Sequence, residues 1–331
     1  IMAEKEEIVT AALESQNYHQ TDTTQSIVNG ENYQTHVLCN ENYTSYTTKE
    51  DKSRQSIIDV LRQDKPRNYL FDDKAFNLME TLKVSGKSIK HLMAKLSQTN
   101  NLLTEAQACN LVEGLKKKKT ILECAYISAY QNENNAVKIL MTDDAAQYNL
   151  IAEYSALCWI HEGRHYKKLS PIAEINREKL ETFISQFWDY YKTLKTYSDK
   201  PESRFRKTLE EDFDKLFSTK TGFDMLDERI VKTMKNKAQL LLILIFPYLP
   251  LHNNASELGV RQQVRYRDVS LQTKNEQGTK IKDALLTLVQ TARKLNVSIW
   301  TYLLDRISGT FNLTSLADII RKKFYCANFS T

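Results

Sequence analysis

The chain reads as a mixed α/β protein: a small sheet-bearing core interrupted twice by helices. Three observations predict this. Short runs rich in Thr, Tyr and Val near the amino terminus alternate with turn residues. Long stretches elsewhere carry apolar residues at helical spacing. Only 8 Gly and 5 Pro occur among 331 residues, too few for a turn-rich all-β chain.

Taken in order, residues 3–15 predict a short helix. YHQTDTTQSIVNG (18–30), YQTHVLCN (33–40) and YTSYTTK (43–49) predict three strands, separated by Asn29-Gly30 and by Asn40-Glu41-Asn42. SRQSIIDVLRQ (53–63) follows as an amphipathic helix. The segments FNLMETLKV, SIKHLMAKLS, EAQACNLVEGL and ILECAYISAY predict a helical insertion over 66–135. AVKILMTDD (136–144) predicts a buried strand, AAQYNLIAEY a helix and ALCWI another strand. Residues 166–250 return to long amphipathic helices such as EKLETFISQFWDYYKTL. LHNNASELGVRQQVRYRDVSL (251–271) predicts a further helix, and TKIKDALLTLVQTARKL, VSIWTYLLDRI and LTSLADIIRKKFY three more. The core therefore occupies 1–65, 136–165 and the start of 251–331, with insertions at 66–135 and 166–250.

Composition narrows the function classes. A hydrophobic fraction of 41% suits a folded chain, and the length leaves room for two or three structural units. The net charge of +5 is compatible with a polyanionic partner without requiring one. Cys39, Cys109, Cys124, Cys158 and Cys326 are odd in number and never form a CxxC pair, which suits reduced thiols in a cytoplasm. No signal peptide is evident, and the apolar run Leu240–Phe246 is far shorter than the roughly 18 residues a membrane span needs. The opening Ile1-Met2 points to a fragment of a longer chain. Lys116–Lys119 reads first as a solvated helix end and second as a DNA-facing run.

The predicted order β-β-β-α, then β-α-β, then α, is that of a ribonuclease H-like core. In that architecture carboxylates at the end of the first strand, the end of the fourth strand and on a late helix converge. Asp22, Asp143 (or its neighbour Asp144) and Glu257 stand at those places. Such a trio can hold two divalent ions about 3.5–4 Å apart for in-line displacement at phosphorus. Hard oxygen ligands suit Mg²⁺ or Mn²⁺. Each acid also has a plainer reading. Asp22 would be a strand-end turn residue, Asp143 and Asp144 helix-start acids, and Glu257 the far end of an Asn254-x-x-Glu257 capping box.

Three blocks decide between these readings. YHQTDTTQSIVNG with THVLCN, MTDDAAQYNL followed by CWIHEGRHYKKL, and LHNNASELGVRQQVRYRDVSL together resemble the DDE transposases of the insertion sequence 66 family. The resemblance implies Asp22, Asp143 and Glu257 as catalytic and metal-binding residues, with Asp144 as substitute for Asp143. It implies metal-dependent DNA cleavage and strand transfer, DNA (transposon ends and target) and further copies of the chain as partners, no membrane or small-molecule cofactor, and a bacterial, nucleoid-associated cytoplasmic location. His252 stands where the family has Asp, and Asp144 where it commonly has Gly. The family's amino-terminal DNA-recognition and zinc-binding parts have no counterpart here.

Around the acids, Arg261 lies one helical turn after Glu257 and Arg265 a further turn on, and with Arg267 they suit phosphate contacts. Arg261 also suits an i,i+4 ion pair with Glu257. Asn253 and Asn254 read as helix caps that could also orient DNA. His161, Arg164 and His165 read either as phosphate contacts or as an ordinary helix start. Cys158-Trp159-Ile160-His161 lacks a second ligand pair and reads as core packing rather than half a zinc site; Trp188 also suits a helical core better than base stacking. Two rival functions follow: a catalytically degenerate transposase that only binds DNA or a partner, and a structure-specific nuclease without strand joining.

Overall fold

The computed structural model describes residues 1–96 and 102–328. Residues 97–101 (within the predicted first insertion), residues 329–331 and the Cys326 side chain lie outside the described residues. In chain order the elements are α1 (Met2–Ser15), β1 (His19–Val28), β2 (Glu31–Cys39), β3 (Thr44–Lys49), α2 (Arg54–Leu61), β4 (Asn68–Leu70), α3 (Asp73–Thr81), α4 (Gly86–Lys95), β5 (Leu102–Thr104), α5 (Glu105–Leu111) and α6 (Lys118–Gln131). Next come β6 (Ile139–Thr142), β7 (Tyr154–Leu157), α7 (Trp159–Lys167), α8 (Glu174–Asp199), α9 (Arg206–Phe217), α10 (Asp224–Lys235) and α11 (Lys237–Leu240). The chain ends in α12 (Asn254–Ser270), α13 (Glu276–Lys294), α14 (Ile299–Ile307) and α15 (Leu316–Asn328). Among the described residues, no helix is long and apolar enough to cross a membrane.

Two compact units divide this chain. The first comprises residues 1–138, 147–153 and 255–331; the second comprises 139–146 and 154–254.

In the first unit, β1, β2 and β3 form an antiparallel meander. Asn29 and Gly30 both adopt positive φ, 50° and 82°, as a two-residue hairpin turn requires. β3 would leave a row of backbone N–H groups open, and α13 closes it with side chains. Thr291 Oγ1 accepts from Thr44 N at 3.2 Å, Thr287 Oγ1 from Tyr46 N at 3.1 Å and Asp283 Oδ2 from Thr48 N at 2.7 Å. The three acceptors stand four residues apart, so one helix face meets every second strand residue. Beside α13, Glu4 of α1 accepts from Arg306 Nε (2.6 Å) and from Tyr302 Oη, tying α1 to α14. The predicted helical insertion 66–135 lies within this unit but is not wholly helical: β4 and β5 pair antiparallel inside it.

In the second unit, β6 and β7 run parallel, and α7 to α11 enclose an aromatic core. Trp159 is fully buried, with Phe187, Tyr190, Phe213 and Phe217 around it at ring-centroid distances of 5.5, 5.6, 6.2 and 6.4 Å. Its Nε1–H donates to Leu240 O at 2.9 Å.

Two elements depart from the sequence reading. AAQYNLIAEY forms only a single 3₁₀ turn at Ala146–Tyr148, because tertiary bonds hold its backbone elsewhere: Gln131 Nε2 donates to Leu150 O and Ile151 O, each at 2.9 Å. Leu150 is pulled to φ 72°. ALCWI is not one strand either, since β7 stops at Leu157 and Trp159 and Ile160 already belong to α7.

Candidate functional site

Asp22 is the fourth residue of a ten-residue strand, so it is neither at the strand's end nor in a turn. It pairs in register with Val37, and directly opposed residues of an antiparallel pair project to the same face. That face is the one α12 covers. A Cβ built on Gly259 would lie 2.7 Å from Val37 Cγ1, so only glycine allows the helix this close, and Tyr46 Oη donates to Gly259 O at 3.0 Å. Further along, Gln263 Nε2 donates to Ser26 Oγ at 3.3 Å and Arg267 Nη1 to Gln25 O at 2.5 Å. α12 therefore tracks β1 in the same direction, with its Glu257 end toward Asp22. Glu257, in the first turn of α12, and Asp22 are both half-buried. Thr23 N–H donates to Asp22 Oδ1 at 2.7 Å, and the adjacent thiol feels the carboxylate: Cys39 is pushed up to about 11, by burial first, against the opposing pull of Lys294 and with a further push from Asp22.

The capping-box reading of Glu257 does not survive this geometry. α12 begins at Asn254, so Asn254 is already helical and Glu257 stands one position beyond the place a box requires. Asn253 is fully buried, and its backbone N–H donates to Cys158 Sγ at 3.4 Å. It thus has no surface to offer DNA, whereas Asn254, Arg261 and Arg265 are exposed. Arg267 is half-buried where it holds the Gln25 carbonyl.

Asp143 and Asp144 belong to the second unit. Asp143 follows the last residue of β6, half-buried, and its Oδ1 accepts from Ala145 N–H at 3.1 Å. With no α-helix after it, the helix-start reading of these acids falls. Asp144 is exposed and meets His165 of α7, Oδ2 to Nε2 at 3.1 Å. Glu162, three residues before His165 on α7, completes a group whose ligand atoms all lie within 4.8 Å of one another and which could hold a metal ion. A Glu-x-x-His spacing places both side chains on one helix face. Glu162 is only 3% exposed, and its Oε1 accepts from Arg229 Nη2 and from Thr233 Oγ1 of α10, while Thr233 also bonds Tyr166 Oη. Burial then pushes the Tyr166 hydroxyl well above its ordinary range. His161 pairs with Arg164, Nε2 to Nη1 at 3.0 Å. Sequence reasoning passed over Glu162; the signal for it was its spacing from His165, and its partner Arg229 lies too far along the chain to be read.

Gly163 sits between these ligands. A Cβ there would come within 2.6 Å of Trp188 Cζ2, so α7 meets the Trp188 ring of α8 with bare backbone. Trp159 and Cys158 are buried, and Trp188 packs against the aromatic core.

Residues 125–281 match the family model described as Transposase IS66 family. A relative from Sinorhizobium fredii, which bears the name uncharacterized protein y4jO, is 27% identical over 307 residues, covering 90% of this chain and 94% of its own length. No solved structure matches the chain.

Proposed function

We propose that the protein is a DDE transposase with a ribonuclease H-like core, cleaving DNA and transferring the freed strand, a reading supported by the match of residues 125–281 to the IS66 transposase family model. The supporting observation is the placement of Asp22 on the sheet face that α12 covers, with Glu257 at the near end of that helix. Asp143, directly after β6, is the third member, with Asp144 as its substitute.

Three carboxylates make a hard donor set, which fits Mg²⁺ or Mn²⁺. Ions bound there would activate the attacking oxygen and stabilise the leaving one. The chain's own residues do the rest. Thr23 N–H holds the Asp22 carboxylate in orientation, and Gly259 lets α12 settle on Val37 so that Glu257 is presented from a rigid helix. Water attacks the phosphodiester and releases a 3′-OH, which then attacks a target phosphate; no covalent protein intermediate forms. Arg261 and Arg265, exposed along α12, grip phosphates beside the acids, with Asn254, His161, Arg164 and His165 as further contacts and Arg267 holding β1. The active form joins several copies on paired DNA ends.

The test is divalent-metal-dependent nicking of duplex DNA. Asp22→Asn, Asp143→Asn and Glu257→Gln should each lower the rate by at least about 10³-fold with unchanged circular dichroism. Joined products distinguish a transposase from a nuclease. A chain that never nicks, or whose nicking survives Asp22→Asn, would be a DNA-binding relative without this chemistry.

A further inference from the structure

The chain's positive charge is concentrated in one place. Residues 82–119 contain eight lysines, at 83, 87, 90, 95 and 116–119, against only Glu105 and Glu113, a net of +6 where the whole chain carries +5. The remainder of the protein is therefore close to neutral. All eight lysines are exposed, and among the described residues none makes an ion pair. Of the two acids, Glu105 is already taken by Arg67, at 3.6 Å.

An ordinary solvated face mixes both signs, and crowding like charges without acids is unfavourable unless an anionic partner relieves it. The fold increases the crowding. Lys117 adopts a left-handed backbone, φ 57°, and its Nζ donates to Leu82 O at 3.1 Å and Lys83 O at 2.7 Å. This bond fastens the run 116–119 to the end of α3, beside the start of α4. On α4, Ser88, Ile89 and Leu92 face inward, which leaves Lys87 and Lys90, three residues apart, on the outer face. Distant stretches of sequence are thus gathered onto one basic surface of the first unit.

We propose that this lysine surface, formed by the α3–α4 turn, α4 and the run that enters α6, is a docking site for the phosphate backbone of duplex DNA, separate from the acid-bearing face of the sheet. It would hold DNA without reading its sequence, since lysines are point charges that neutralise phosphates and carry no base-edge pattern. The choice of DNA over other polyanions rests on the transposase reading.

The test is fluorescence anisotropy of a labelled duplex of arbitrary sequence, titrated with full-length protein at several salt concentrations. The variant is Lys87→Glu, Lys90→Glu, Lys116→Glu, Lys118→Glu and Lys119→Glu together, with Lys117 kept because it anchors the loop; a thermal melt checks folding. Expected are a rise in Kd of at least about tenfold and a shallower salt dependence, each lost phosphate contact removing about 0.9 from the log–log slope. The corresponding Lys→Gln variant should lie between. Unchanged Kd and slope would overturn the proposal, as would lysine-dependent binding to anionic phospholipid vesicles or to a polyglutamate peptide with none to the duplex. Nicking, measured on the same proteins, separates this from the catalytic reading. If the parent never nicks but the lysine variant loses binding, the surface stands and the catalytic reading fails; if the parent nicks and the variant binds equally well, the reverse holds.

Discussion

Where the first unit joins helix to sheet edge it does so through oxygen atoms; where the second packs helix on helix it does so through rings. α13 lines up Asp283, Thr287 and Thr291 to take the N–H groups of β3, and Asp59 takes both Arg67 Nε and Nη2, at 2.9 and 2.6 Å, together with Tyr126 Oη at 2.7 Å. In the second unit Trp159 and its ring neighbours fill the interior, and the Glu162–Arg229–Thr233 group is a polar exception. Directional bonds fix a register, which is what presenting Asp22 and Glu257 on one face demands. Ring packing fixes volume, and a carboxylate buried in it needs its own guanidinium.

The contrast is broken most forcefully at Trp159. Trp159→Ala should cost about 3–5 kcal/mol in denaturant unfolding, because the cavity lies amid four rings and removes the Nε1–H bond to Leu240. A loss under about 1 kcal/mol would mean that the aromatic cluster is not what stabilises this unit.

Next comes Gly163→Ala. The added methyl would lie 2.6 and 2.8 Å from two Trp188 ring atoms, so α7 or Trp188 must move, at a cost of about 1–3 kcal/mol. The same shift should disturb Glu162 and His165 and weaken Mn²⁺ binding at the group with Asp144, read by electron paramagnetic resonance of the added ion. Gly163→Ala together with a smaller residue at Trp188 should recover both.

How much of this was legible depended on whether a residue acts within its own stretch. Asn29-Gly30 announced a hairpin because both positions need positive φ, a local property. The burial of Trp159 followed from its size and setting. The non-helical course of AAQYNLIAEY was not legible, because Gln131 imposes it from a distant helix and the local propensities point the other way. Nothing in the helix that carries Thr287 and Thr291 marks them out, and only the arrival of β3 makes them acceptors. Of the acids, the alignment of Asp22 with Val37 could be foreseen from a β-hairpin pattern, but the Glu162–Arg229 pair joins α7 to α10 across two intervening helices and left no local trace.

Acid should separate the units further. Burial lowers His19 of the first unit to about 3, with its Nδ1 2.6 Å from Tyr43 Oη, and lowers His36 as well. Unfolded histidine titrates near 6.5. Between about pH 6.5 and 3 the unfolded chain binds the proton that folded His19 refuses, so stability falls as pH falls through that window and is level above it. The slope from His19 reaches at most about 1.4 kcal/mol per pH unit. His19→Gln should flatten the dependence of the denaturation midpoint between pH 6 and 4.5. An unchanged slope would locate the acid sensitivity elsewhere.

The smallest expected effect is the sharpest probe of the edge-covering bonds. Thr287→Val keeps the side-chain shape but removes the oxygen that accepts from Tyr46 N–H, leaving a buried donor without its partner. The expected cost is about 1–2 kcal/mol, against near zero for a like change at an exposed threonine such as Thr193 of α8, whose hydroxyl bonds only its own helix. Amide exchange locates the loss: Tyr46 N–H should exchange faster, while Thr44 and Thr48, held by Thr291 and Asp283, change little. If all three amides accelerate together, α13 covers the edge as one cooperative body rather than bond by bond. The register that presents Asp22 opposite Val37 would then depend on the whole helix, and mutations in α13 far from the acids should lower nicking in proportion to their effect on amide exchange.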